Sequence, residues 1–199
     1  MILHILLLEE VSSVSNIVRA FLSIGIENQS LLSQIQNIQQ KLDLTAAKMK
    51  IVERENIHFT LYFFGDTPLA QMNQIQMCFE GIKIDPFEVK IAGVGAFPDK
   101  LRPRIVWIGV TNNASKILNL KSKIDSSLIG LGYKPEKRKY TPHATIARVR
   151  HVNDTKRLAN NLESLANEVI GTMTITKIKM MKSTLTPSGP NYETLWEIG

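Results

Sequence analysis

The sequence is poor in the side chains that build disulfides and metal centres. It contains one cysteine, Cys78, in 199 residues, which excludes an intramolecular disulfide and any multi-cysteine metal site. The four histidines lack the spacing to carboxylates and to one another that zinc or iron sites show. We therefore expect no metal and no cofactor, and a buried structural thiol at Cys78. Because unpaired cysteine is typical of reducing compartments, we also expect a cytoplasmic location.

Long apolar runs are also absent. The run from Ile2 to Leu8 contains His4, is followed by Glu9 and Glu10, and is far too short to cross a bilayer. No basic segment precedes it and no convincing cleavage site follows, so we predict neither a targeting segment nor a membrane partner. Residues 1–18 are expected to form an amino-terminal extension, and residues 19–199 a single bilobal domain.

Two short segments share the pattern His-x-Thr-apolar. They are His58-Phe59-Thr60-Leu61 and His143-Ala144-Thr145-Ile146. Both lie in β-prone apolar stretches bounded by turn or charge signals. In a strand, alternate side chains share a face, so each His projects with its Thr while the intervening residues point into the protein.

This repeat has two interpretations. The simpler one is a pair of half-buried strands, each with a hydrogen-bonded His and a Thr that favours β-structure. In the other, the two histidines act together on a phosphodiester. With a pKa of ~6.5, one imidazole can be neutral and the other protonated near neutral pH, so that one accepts a proton and the other donates one. The hydroxyls of Thr60 and Thr145 can then donate to the phosphoryl oxygens without a metal.

Positive charge is concentrated near the second motif. The chain has a formal net charge of +6, which by itself suits an ordinary soluble protein as well as a polyanion-binding one. One cluster surrounds the second motif, and a second precedes a predicted strand; their members are Lys134, Lys137, Arg138, Lys139, Arg148 and Arg150, and Lys100, Arg102 and Arg104. These clusters favour a phosphate ligand, although charged loops are most often only solvated.

The remaining pattern predicts alternating strands and helices. Helices are expected from a Ser30 cap, from Pro68, over 115–131, and from an Asp154 cap as far as Val169. The predicted strands cover 19–26, 50–52, 57–64, 87–94, 105–110, 145–149, 172–184 and 192–198. One His-x-Thr strand falls in each half. We therefore predict an α+β fold of two pseudo-symmetric lobes, each an antiparallel sheet with flanking helices, around a central cleft lined by both motifs.

The order of several motifs resembles that of a known family. The chain resembles the 2H phosphoesterase superfamily and, within it, the RNA 2′,3′-cyclic phosphodiesterases, also known as 2′-5′ RNA ligases, from Arg19 to Ile198. The segments that carry the resemblance are Arg19-Ala20-Phe21, His58-Phe59-Thr60-Leu61, Phe64-Gly65, Gly95-Ala96-Phe97-Pro98, Arg102-Pro103-Arg104-Ile105-Val106-Trp107, Thr141-Pro142-His143-Ala144-Thr145-Ile146-Ala147-Arg148 and Ser183-Thr184-Leu185-Thr186-Pro187-Ser188-Gly189-Pro190-Asn191-Tyr192.

The resemblance assigns roles that the pattern alone leaves open. It implies that His58 is the proton donor and His143 the acceptor, that the product carries a 2′-phosphate, and that Arg148 binds phosphate with Thr60 and Thr145. Strict alternation places Arg148 opposite His143, so its role requires a twist or β-bulge late in the strand. The expected partners are RNA ends bearing a 2′,3′-cyclic phosphate, tRNA fragments among them, and the protein is expected to be a monomer.

Three functions remain in competition at this point. The first is metal-independent hydrolysis of the cyclic phosphate, and the second is the reverse reaction, 2′-5′ ligation by the same histidines. The third is a non-catalytic RNA-binding module that uses the basic loops, with Phe97 or Tyr133 stacking on bases. Identification of the product separates the first two, and intact turnover after loss of both histidines would favour the third or another site.

Overall fold

The computed structural model describes residues 17–187 and 189–199. Most of the expected extension, residues 1–16, lies outside this range. Its last two residues, Ile17 and Val18, are instead the start of the first strand, where they pair with Pro68 and Thr67.

The described residues form nine strands and four α-helices. The strands are β1 (Ile17–Gly25), β2 (Ala47–Ile51), β3 (His58–Pro68), β4 (Phe87–Phe97), β5 (Ile105–Asn112), β6 (His143–Val152), β7 (Val169–Ile175), β8 (Ile178–Thr186) and β9 (Gly189–Ile198). The helices are α1 (Gln29–Gln40), α2 (Leu69–Phe79), α3 (Ala114–Ile129) and α4 (Thr155–Ser164). None of these helices is long and apolar enough to cross a membrane.

The strands form two antiparallel groups, which we call the first and second lobe. The first lobe has the order β3-β1-β8-β9, and the second has the order β7-β4-β5-β6 with β2 also paired to β6. One residue pair, Phe59 with Ala144, joins β3 to β6 and so connects the two groups. This arrangement confirms the predicted α+β fold with two antiparallel sheets and flanking helices.

The lobes do not correspond to the two halves of the chain. Helix α1 follows β1 of the first lobe but packs on β7 and β6 of the second. Helix α3 follows β5 of the second lobe but packs on α2, and its Lys121 ammonium lies 5.1 Å from the ring centre of Tyr62 in β3. Each lobe is therefore built from strands and helices of both halves.

Local sequence explains where the helices begin. Asn28, and not the predicted Ser30, caps α1, because its side chain accepts a hydrogen bond from the backbone N–H of Leu31 at 3.0 Å. Asp154 caps α4 as predicted, accepting from the N–H of Arg157 at 2.9 Å. Cys78 lies in α2, as expected, but is only partly buried against the core.

Three predicted boundaries are wrong because strands change partners or bend. The single strand expected over 172–184 is two strands, since β7 pairs with β4 in one lobe and β8 pairs with β1 in the other. Val169, expected in a helix, begins β7. The strand expected over 57–64 continues to Pro68 through a bulge at Gly65, because Ala20 pairs with Gly65 while Phe21 pairs with Phe63. Gly65 has a φ of 72°, which suits glycine at such a bulge.

The junction between the lobes provides a test of the fold. Phe59 is fully buried at the pair that joins β3 to β6, so Phe59→Ala should lower the free energy of unfolding by about 3–5 kcal/mol through lost burial and a cavity. Urea unfolding followed by circular dichroism measures this loss. Phe63→Ala, at a side chain that is 48% exposed in the same strand, is the control and should cost less than about 1 kcal/mol. Equal losses in the two variants would contradict the prediction.

Candidate active site

Both His-x-Thr motifs line one cleft between the lobes, as predicted. The cleft encloses about 850 Å³, part of it open to solvent. His58, Thr60, His143 and Thr145 contribute to its wall, together with Phe21, Lys50, Ile51, Val52, Glu53, Asn56, Phe63, Arg148, Ser183, Pro190 and Tyr192. Phe59, Leu61, Ala144 and Ile146 are buried on the opposite face.

The two motif strands contain the same irregularity. In β6, Thr145 pairs with Trp107 and Ala147 pairs with Val106, so Ile146 is an extra residue in the ladder. In β3, Thr60 pairs with Ser23 and Tyr62 pairs with Leu22, so Leu61 is the extra residue. Each strand therefore has a β-bulge directly after its Thr, and the alternation of faces changes phase there.

The bulge in each motif strand determines which later residue of that strand faces the cleft. Arg148 lines the cleft with His143, although strict alternation would place the two on opposite faces. The bulge required for Arg148 is therefore present. Phe63 occupies the equivalent position in the first motif, five residues after His58, and is 48% exposed at the cleft. The sequence analysis missed Phe63, although its equal spacing from the motif His was a usable signal.

A backbone hydrogen bond fixes the orientation of each imidazole. Nδ1 of His58 lies 2.8 Å from the carbonyl oxygen of Asn56, and Nδ1 of His143 lies 2.7 Å from that of Thr141. A carbonyl oxygen only accepts, so Nδ1 carries a proton in both rings. In each neutral ring Nε2 is consequently the basic nitrogen. Nε2 of His58 lies 3.1 Å from Oγ1 of Thr60, which can donate its hydroxyl proton to it.

His58 lies in an apolar surrounding made by two other strands of the first lobe. The ring of Phe21 stacks on it with centroids 4.8 Å apart, and the ring of Tyr192 lies nearly perpendicular to it with centroids 5.4 Å apart. Burial lowers the pKa of His58 from 6.5 to about 4, and the nearby charges of Arg148 and His143 act in the same direction. In the free protein His58 is therefore neutral at pH 7.

His143 is supported by aromatic residues of the second lobe. The rings of Phe97 and Trp107 lie 4.9 and 6.2 Å from its centroid. The indole of Trp107 covers Gly95 so closely that a Cβ at that position would lie 2.2 Å from the ring. Glycine at position 95 is therefore needed for Trp107 to occupy its place beside His143.

The basic residues that precede the second motif, which we call the basic loop, do not line the cleft; they are Lys134, Lys137, Arg138 and Lys139. The first of these residues, Lys134, is bonded through its carbonyl oxygen to the hydroxyl of Tyr62, on the buried face of β3. Tyr133 packs edge-on against Tyr62 and Phe64, and so does not reach the cleft. Phe97 supports His143 and is likewise not part of the cleft wall. Across residues 17–187 and 189–199, no three His, Cys, Asp or Glu side chains come together in a potential metal site.

The sequence matches one family model twice. The model of the LigT-like phosphoesterases matches residues 24–107 and again residues 108–192. The chain belongs to the LigT-like phosphoesterase family. The two matches, one for each His-x-Thr strand, agree with the internal repeat that the motifs indicate, and they confirm the resemblance described above.

Curated relatives and solved structures extend this family assignment. The RNA 2′,3′-cyclic phosphodiesterase of Methanothermobacter thermautotrophicus is 36% identical over 177 residues, which cover 88% of this chain and 95% of the relative. The protein of the same name from Methanocaldococcus jannaschii is 34% identical over 179 residues, covering 90% and 99%. The fold of this LigT-like phosphoesterase matches TT0787 of Thermus thermophilus (TM-score 0.75, 20% identity, 90% and 96% coverage) and E. coli LigT complexed with 3′-AMP (TM-score 0.72, 19% identity, 92% and 97% coverage).

The lowered pKa of His58 predicts a pH-dependent loss of stability. The unfolded state takes up a proton on this residue near pH 6.5, whereas the folded state does so only near pH 4. The stabilisation from the neutral ring is therefore complete above pH 6.5 and is lost as the pH falls from 6.5 towards 4. Urea unfolding across this range should show a steeper decline for the native protein than for His58→Gln. His151→Gln, at an exposed histidine, is the control and should follow the native curve.

Proposed function

We propose that the protein hydrolyses RNA 2′,3′-cyclic phosphate ends to 2′-phosphate ends. The observation that carries this proposal is the pair of imidazoles in one cleft, each with Nδ1 bonded to a backbone carbonyl and Nε2 left for proton transfer. The names of the relatives, which are RNA 2′,3′-cyclic phosphodiesterases, support the same reaction. RNA ends, including tRNA fragments, are the proposed substrates, and the protein is proposed to act as a cytoplasmic monomer.

The proposed reaction needs one base, one acid and donors for the phosphoryl oxygens. Nε2 of His143 accepts a proton from water while the water oxygen attacks phosphorus. The bond between phosphorus and the 3′ oxygen breaks, and His58 supplies the proton that makes this oxygen a hydroxyl. The product is a 2′-phosphate, and exchange with solvent restores both rings. Thr60, Thr145 and Arg148 donate hydrogen bonds to the phosphoryl oxygens, whose negative charge increases in the transition state.

This direction of transfer requires His58 to gain a proton when the substrate binds. In the free protein its pKa is about 4, so few molecules hold the acid form at neutral pH. A cyclic phosphate carries a negative charge, and an anion close to the ring favours the imidazolium and raises its pKa. Substrate binding and protonation of His58 are therefore coupled.

Loss of either histidine tests whether the two act in one mechanism. His58→Ala and His143→Ala should each lower kcat/KM on a nucleoside 2′,3′-cyclic phosphate by about 100-fold or more, because each removes one proton transfer. The double variant should lose much less than the product of the two effects, since neither histidine is effective without the other. Independent, multiplicative losses would contradict a shared mechanism, and intact turnover in the double variant would favour the RNA-binding alternative.

The pH dependence tests the coupling of binding to protonation. Both kcat and kcat/KM should give bell-shaped profiles that belong to the imidazole pair as a whole. Because the bound anion raises the pKa of His58, the profile of kcat should lie at higher pH than that of kcat/KM. Coincident profiles would exclude this coupling.

Metal chelation tests whether the reaction is independent of a metal ion. EDTA should leave kcat and kcat/KM unchanged. A rate that vanished on chelation and returned with a divalent ion would overturn the metal-free mechanism.

Identification of the product separates hydrolysis from ligation. An RNA with a 2′,3′-cyclic phosphate end should yield a 2′-phosphate in water. With an added 5′-hydroxyl RNA, a 2′-5′ linked product is expected only as a minor species, because water is in large excess. A dominant ligated product would make the reverse reaction the main activity.

The threonines can be tested separately from the histidines. Thr145 has the simpler environment, because Thr60 already bonds to Nε2 of His58. Thr145→Val keeps the β-branched shape, removes the hydroxyl, and should lower kcat on a minimal cyclic nucleotide by about 10-fold or more. Thr145→Ser, which retains the hydroxyl, is the control and should recover most of this loss. Equal rates for the Val and Ser variants would show that the hydroxyl does not contribute.

A further inference from the structure

A row of basic side chains runs out of the cleft along the β2–β6 pair. Lys50 is paired in register with Arg148, and Lys48 is paired with His151. Arg150 is the extra residue at the bulge between these two pairs, and its side chain is exposed. We call these five residues the basic ribbon.

The faces of β2 show that the ribbon points away from the core. Ala47 is fully buried and Met49 packs against the core, so Lys48 and Lys50 lie on the opposite, outer face. Lys50 and Arg148 line the cleft. The second pair lies two residues farther along β2, about 7 Å away, and the ribbon therefore begins beside the reacting groups and continues outward.

Three of the four Lys and Arg side chains of the ribbon lack a carboxylate partner in the described part of the chain. Lys50 pairs with Glu53 at 3.5 Å. Lys48, Arg148 and Arg150 have no carboxylate within ion-pair distance in the described part of the chain. Basic residues directly opposite each other on neighbouring strands repel and lower stability. The arrangement is unfavourable for folding alone and is relieved by a bound polyanion.

We propose that the basic ribbon binds the phosphate backbone of the RNA that leads away from the reacting end. This proposal rests on the proposed function, because it takes the cyclic phosphate to lie between His58 and His143. The ribbon offers successive cations along one direction from that point, and nucleic-acid affinity comes mainly from such contacts to phosphates. A groove lined by Arg102, Arg104, Arg150 and His151 continues the positive surface beyond the ribbon.

The ribbon, rather than the basic loop, is the surface that we expect to bind the RNA next to the cleft. From the sequence, Lys134, Lys137, Arg138 and Lys139 were expected to meet backbone phosphates farther along the RNA, and this stays a prediction. The loop begins where the hydroxyl of Tyr62 donates a hydrogen bond to the carbonyl oxygen of Lys134, and its basic residues are not part of the cleft wall. An RNA strand that leaves the cleft over β2 and β6 contacts the ribbon first.

Two variants with equal loss of charge distinguish the surfaces. The ribbon variant is Lys48→Gln with Arg150→Gln, and the loop variant is Lys137→Gln with Lys139→Gln; neither changes a proposed catalytic residue. Binding of a fluorescent oligoribonucleotide of about twelve residues with a 2′-phosphate end is measured by anisotropy over a salt series. The ribbon variant should bind about tenfold more weakly, and the slope of log K against log salt should become shallower by about 1.4, or 0.7 for each lost phosphate contact.

The loop variant and the hydrolysis of a minimal substrate distinguish an error in the ribbon proposal from an error in the proposed function. The loop variant should bind within about twofold of the native protein, and both variants should hydrolyse a nucleoside 2′,3′-cyclic phosphate at the native rate. Native affinity in the ribbon variant, or a greater loss in the loop variant, would overturn the proposal. Absence of hydrolysis by the native protein would overturn the proposed function instead, and anisotropy would still decide whether the ribbon binds RNA.

Discussion

The pairing of Phe59 with Ala144 is the constraint on which the active site depends. Because the two strands are antiparallel, this pair sets His58 level with Thr145 and Thr60 level with His143. Both rings then face the same side of the sheet. The ladder between β3 and β6 consists of this one pair among the described residues, so the strands diverge on either side of it and the cleft opens there. The buried side chains at the pair hold the two His-x-Thr motifs in register with each other.

The sequence predicted correctly those features that depend only on residues close to one another in the chain. Alternation along each motif placed His and Thr on one face and Phe59 or Ile146 in the core, and the structure agrees. Strict alternation places Arg148 on the face opposite His143. From the sequence, Arg148 could therefore reach the cleft only if a bulge interrupted the strand between the two residues. Its location depends on the partner strand, since the register shifts opposite Val106 and Trp107. Partner strands lie far away in sequence, which is why a single strand's pattern cannot locate such a bulge.

The other features that the sequence could not predict are long-range as well. Phe21 and Tyr192 come from β1 and β9, and their joint contact with His58 exists only because these strands belong to one lobe. The lowered pKa of His58 follows from that contact. The division of 172–184 into two strands also reflects a change of lobe. The position of the basic loop is also set by a long-range contact, because Tyr62 in β3 donates a hydrogen bond to the carbonyl oxygen of Lys134.

The mixing of both halves within each lobe has a consequence for how such a chain could arise. Each half matches the same family model, yet each lobe takes strands from both halves, and α1 and α3 cover the lobe opposite to the strand they follow. A protein that consisted of one half alone could neither complete a lobe nor supply both His-x-Thr motifs. Two identical copies related by a twofold axis could do both by exchanging segments. In its geometry, the single chain is equivalent to such a domain-swapped homodimer joined into one polypeptide, with Phe63 and Arg148 at equivalent positions of the two repeats.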